Sequence, residues 1–70
     1  MNVPRRIAAL KREIEYRKAE IARIAEMRVQ KEPAVIAFPD FVAKHLANMS
    51  AGIEQREAEI LRLERTLLLE

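Results

Sequence analysis

The octet Ile14-Glu15-Tyr16-Arg17-Lys18-Ala19-Glu20-Ile21 returns as Ile53-Glu54-Gln55-Arg56-Glu57-Ala58-Glu59-Ile60, identical at six of eight positions. Between the copies lies a segment closed by proline at both ends, Pro33-Ala34-Val35-Ile36-Ala37-Phe38-Pro39. Each copy sits in a longer run whose apolar residues recur at alternating steps of four and three. The first run is Val3, Ile7, Leu10, Ile14, Ile21, Ile24; the second is Val42, Leu46, Met49, Ile53, Ile60, Leu63, Leu67. A 3.5-residue period kept over several heptads belongs to helices packed along a narrow seam. Pro33 stops the first helix, because the residue before a proline is pushed out of helical conformation. Pro39 and Asp40 suit the opening turn of a second helix, where proline lacks only an N–H that would be unpaired and an acid complements the dipole. Asn2 and Pro4 supply an N-cap and a first-turn proline for helix one. The expected fold is all-α, a single antiparallel helical hairpin over residues 1–70 with helix one at about 3–32, a turn at 33–39 and helix two at about 39–69. Folding back at the midpoint of Arg17 and Arg56, residue 36.5, sets these two arginines at nearly the same height.

Seventy residues rarely bury enough surface to be stable alone. Cysteine is absent and His45 is the only histidine, which closes the disulfide route and the usual zinc routes. At about 25 cal/mol per Å², one hairpin seam barely offsets the entropy of ordering the chain. Ala22, Ala25, Leu61, Leu68 and Leu69 widen the apolar stripe beyond what one seam uses. The sequence therefore points to a homodimer, two hairpins pairing into a four-helix bundle. Its dimer and register positions are Ile14, Arg17, Ile21, Ile53, Arg56, Ile60, Leu63 and Leu67. Arg17 and Arg56 interrupt the stripe, and a charge at a seam is costly unless paired. Glu13 and Glu20 lie within one turn of Arg17, and Glu59 close to Arg56. The leading reading is a polar layer that fixes register; the other is a grip on a phosphate or carboxylate. Gly52, in the interior of helix two, costs about 1 kcal/mol relative to alanine and suggests that another backbone comes close.

Catalysis finds no support: there is no serine–histidine–acid set beyond accident, and one glycine cannot make a phosphate loop. No cofactor or metal is expected. The apolar runs are too short to span a membrane, and no apolar core with a cleavage site follows the basic start, so the default is a cytoplasmic protein. Two surfaces are candidates for a partner. The proline-bracketed segment is apolar and stiff where helix connections are normally polar and glycine-rich, so Val35, Ile36 and Phe38 either cap the bundle end or dock into another protein. The outer line Arg5, Ala9, Arg12, Tyr16, Ala19, Arg23 carries no acid, so Arg12, Tyr16 and Arg23 form a second candidate surface for an acidic protein or for RNA or DNA. Residues 1–32 carry nine Lys/Arg against five Glu, and residues 40–70 four against six Asp/Glu. Opposite signs favour the hairpin itself, and Glu64 and Glu70 can offset Arg5 and Arg6 at the helix-one N-terminus.

In length and hairpin outline the chain resembles the Rop-type plasmid copy-number regulators, four-helix bundles that bind RNA loop pairs through one helix face. In size, lack of cysteine, an Arg/Ala/Glu-rich helical pair and lack of catalytic residues it is also similar to small helical proteins made by temperate phages of Pseudomonas. Those proteins, including the quorum-sensing anti-activator type, disable host regulators. The second resemblance implies a protein that binds and blocks a transcription regulator or an assembly ATPase. The first implies RNA binding, and the basic face of helix one, with Arg5, Arg12, Tyr16 and Arg23, is where the residues themselves place a contact with RNA or DNA. A purely structural oligomerisation piece is the third reading.

Overall fold

The computed structural model describes residues 2–69 and is all-helical among them. Helix α1 spans Val3–Val29, α2 Pro33–Ala37 and α3 Pro39–Leu69. Asn2 caps α1 through its side-chain oxygen, which accepts the Arg5 backbone N–H at 3.0 Å, and Pro4 sits in the first turn. The two long helices pack antiparallel as a thin rod of 52 × 16 × 16 Å.

The end of α1 corrects the expected boundary. The helix stops at Val29, not at the residue before Pro33. Lys31 takes a left-handed conformation, φ 54°, while its N–H reaches the Arg28 carbonyl at 3.1 Å and the Glu32 N–H reaches that of Met27 at 3.0 Å. This pair of bonds is the Schellman closure, usually built on glycine. Pro33 explains its position: Glu32 must be extended, and is at φ −63°, ψ 142°, so the chain has to turn one residue earlier.

The segment expected as a turn is a helical turn of its own. Pro33 occupies its first position, and the Glu32 carbonyl accepts from Val35 and Ile36. Phe38 precedes Pro39, leaves the helix at φ −128°, ψ 59°, and lends its carbonyl to the Val42 N–H at 3.0 Å to open α3. Two prolines, each at a helix start, thus make the connection rigid without a glycine.

Burial follows the seam. Ile7, Leu10, Ile14 and Ile60 form the main core, with Leu10 only 1% exposed and Val3, Ile53 and Leu63 packed around it. Ile24 and Val35 are buried nearer the tip. Of the positions expected to set the dimer and the register, Ile14 and Ile60 are buried inside the hairpin, Ile21, Ile53 and Leu63 are half-buried there, and Leu67 is exposed.

The helices also pivot elsewhere than expected. Arg6 pairs with Glu59 at 3.0 Å, and His45 Nε2 lies 3.7 Å from Glu20. Both pairs centre on residue 32.5, the Glu32–Pro33 junction, against the expected 36.5. The Schellman closure turns the chain immediately after α1, so the short helix belongs to the returning half. Arg56 is then level with Ala9, about 12 Å from the height of Arg17 at 1.5 Å per residue.

Candidate functional site

The offset between Arg17 and Arg56 is undone by their side chains. Helical side chains lean toward their own N-terminus, so on antiparallel helices these two lean toward each other. They converge on Gly52. A Cβ on that residue would lie 2.5 Å from the Arg17 guanidinium carbon and closer still to Nη1, so the seat exists only because position 52 has no side chain. The close neighbour of Gly52 is thus a guanidinium, not the backbone expected from sequence. Arg56 Nη1 donates to the Gly52 carbonyl at 3.0 Å, and its Nε donates to Glu13 at 2.8 Å.

Ion pairing is redistributed accordingly. Glu13 serves Arg56 and not Arg17. Glu59 serves Arg6, both through Nε at 3.0 Å and through Nη2 at 3.4 Å. Glu20 accepts from Arg23, with Nε at 3.1 Å, and faces His45. These contacts hold the Glu20 and Glu59 carboxyls below the ordinary 4.5, chiefly through the hydrogen bonds from Arg23 and Arg6, and raise both arginines. The expected relief of Arg5 and Arg6 by Glu64 is supplied for Arg6 by Glu59 instead, and Glu70 lies outside the described residues.

Arg17 forms no ion pair among the described residues; its one hydrogen bond is from Nη1 to the Met49 sulfur at 3.7 Å. Among the described residues no buried side-chain nitrogen or oxygen lacks a partner, so its other donors open into the shallow groove, about 410 Å³, that it lines with Ala9, Arg12, Glu13, Tyr16, Met49 and Arg56. Arg12 forms no ion pair among the described residues either and, like Tyr16, is exposed. Three arginines thus meet one carboxylate, and Arg12 and Tyr16 of the expected basic surface fall in this groove.

Arg23, the third residue of that surface, belongs to a separate cleft at the tip. That space of about 300 Å³ is lined by Ile24, Met27, Val35, Phe38, Phe41 and Val42, with Glu20, Arg23 and His45 at its polar edge. Val35, 9% exposed, is buried inside the hairpin, where it caps the bundle end and forms part of the cleft wall. Phe38 and Phe41 are 63% and 72% exposed, and Ile36 is similarly open. At 100° per residue, the α1 residues of the tip cleft and the arginine groove share one flank of the hairpin. The opposite flank holds a third concavity, lined by Lys11, Ile14, Glu15, Lys18, Glu57, Ile60 and Leu61. Gly52, Met49 and Phe41 were absent from the sequence-based site. A helix-interior glycine signals a close approach but not its partner, and Phe41, one turn beyond Phe38, was legible as its neighbour.

Among the described residues no three His, Asp or Glu side chains gather to hold a metal, and no helix is long and apolar enough to cross a membrane. No family model matches the chain, and neither a curated protein nor a solved structure is significantly similar to it.

Proposed function

We propose that the chain is a non-catalytic interaction protein that works as a homodimer and binds, and thereby modulates or inhibits, a regulatory protein such as a transcription regulator or an assembly ATPase. One observation carries this reading. The hairpin exposes 5418 Å², whereas a compact chain of its mass exposes about 4,500 Å². The excess is on the order of the 800 Å² that each partner buries in a standard interface. Its radius of gyration, 15.8 Å, likewise exceeds the roughly 11 Å of a compact chain of this length.

Charge assigns the two flanks different tasks. A twofold dimer sets the same patch against itself, so its surface must carry both signs. The flank of Lys11, Glu15, Lys18 and Glu57 does so, around half-exposed Leu61. The arginine groove would face its own charge. The lysine–glutamate flank is therefore the dimer face, completing the four-helix bundle, and the opposite flank with Phe38 and Phe41 is left for the partner. The class of target comes from the resemblance to phage-encoded inhibitors.

Nucleic acid is the weaker alternative. Arg6 and Arg23 are already engaged by Glu59 and Glu20, so the basic residues of α1 do not make the continuous track that a row of phosphates needs. Affinity capture of the partner, repeated with Phe38→Ser, tests the proposal. Loss of the captured protein with the helical fold intact is expected. Unchanged capture, or capture of RNA or DNA that collapses between low and physiological salt, would count against it.

A further inference from the structure

Arg17, seated over Gly52, carries a charge with no carboxylate of its own among the described residues. We propose that Arg17, seated over Gly52 beside Arg56 and Arg12, is a preformed receptor for a carboxylate side chain of the partner protein. This rests on the interaction reading above and names the chemistry by which the partner is recognised.

Four observations lead there. Two guanidiniums converge on one glycine, and the single carboxylate among them, Glu13, is taken by Arg56. Arg17 keeps only a thioether acceptor among the described residues, so most of its planar donor fork is unengaged, the geometry that binds a carboxylate in bidentate fashion. The head group already lies packed over Gly52, where a side chain at that position would collide with it, so part of the ordering that binding requires is in place beforehand. Finally, helix two accepts a residue costing about 1 kcal/mol in its interior at the one position where that seat requires it.

A carboxylate fits better than a phosphate chain. Glu13 lines the groove itself, and Glu20 and Glu59, paired with Arg23 and Arg6, lie beyond its two ends. Only the cluster of Arg12, Arg17 and Arg56 is left to meet an anion, which suits one acidic group rather than a row of phosphates. The tip cleft stands about 15–20 Å farther along the flank, ten or more helical residues at 1.5 Å each. The partner segment therefore carries an acidic residue about three helical turns from a large apolar one, the first for Arg17 and the second for the cleft beside Phe38.

Glutarate serves as the probe, titrated into the whole protein while the arginine Nε–Hε resonances are followed by NMR. Saturable shifts at Arg17, Arg56 and Arg12, with none at the distant Arg5 and Arg28, are expected. Arg17→Gln should weaken binding at least tenfold. Gly52→Ala, which keeps every charge but removes the seat, should weaken it at least threefold with helicity retained. Phe38→Ser should leave it unchanged, so the receptor and the interaction reading fail separately. Equal, non-saturating shifts at all arginines, unaltered binding by Gly52→Ala, or tighter binding of inorganic phosphate than of glutarate would each overturn the proposal.

Discussion

Gly52 and Arg17 show how much of this molecule is decided by single side chains. Alanine in place of Gly52 gains about 1 kcal/mol of helix propensity. What it displaces is the far end of a flexible side chain, not backbone. Gly52→Ala should therefore keep or raise the melting temperature, by up to about 4–8 °C, in thermal circular dichroism, while Arg17 swings out of its seat. A fall of similar size would mean that the seated guanidinium holds the hairpin together. The pair was half legible in the sequence. A lone glycine inside a helix marks a close approach, and an arginine on an apolar stripe marks a polar layer, but they lie 35 residues apart in the chain. Their meeting depends on the lean of one helical side chain and on the register of two helices, neither of which a local pattern contains.

Among the elements, the end of α1 is the most sensitive. Lys31 bears the cost of a left-handed backbone, about 1–2 kcal/mol for a residue with a side chain. Lys31→Gly should recover about 0.5–1 kcal/mol after the greater freedom of glycine in the unfolded chain is deducted. Lys31→Ala should gain nothing, since alanine suffers the same strain. Urea midpoints for the three proteins measure this. Ion pairing across the helices (Glu59 with Arg6) and within α1 (Glu20 with Arg23) also sets an acid limit. Glu59 and Glu20 titrate below their ordinary 4.5 because Arg6 and Arg23 hydrogen-bond to them. Their contribution is thus complete above the unfolded value and is lost as pH falls through the lowered folded values. Melting temperature should be flat from neutrality to about pH 5 and decline below it, and Glu59→Gln should show a shallower decline. Helix identity was readable from the 3.5-residue period and the prolines. The early stop at Val29 was not, because the constraint that Pro33 places on Glu32 passes one residue further back only once the chain has to reverse.

At the scale of the whole molecule, a 52 Å rod 16 Å thick cannot enclose its own apolar residues. Leu61, Leu68 and Leu69 remain on the surface of the single hairpin, with Leu61 56% exposed. If the lysine–glutamate flank pairs across a twofold axis, Leu61 is near its centre. Sedimentation equilibrium should then give twice the 8.1 kDa chain mass, and Leu61→Glu should shift the protein to monomer while leaving the arginine flank intact. A wild-type monomer of full helicity would remove the dimer. By itself the sequence determined two long helices, a stiff break between them and the stripe along which they meet, since periodicity and proline act over a few residues at a time. Only the tertiary structure decided the pivot at Glu32–Pro33, the exchange of salt-bridge partners and the gathering of Arg12, Arg17 and Arg56 around one glutamate. A repeating stripe can be buried equally well in several registers. Which one forms depends on the geometry of the chain reversal, and that in turn decides which charges meet.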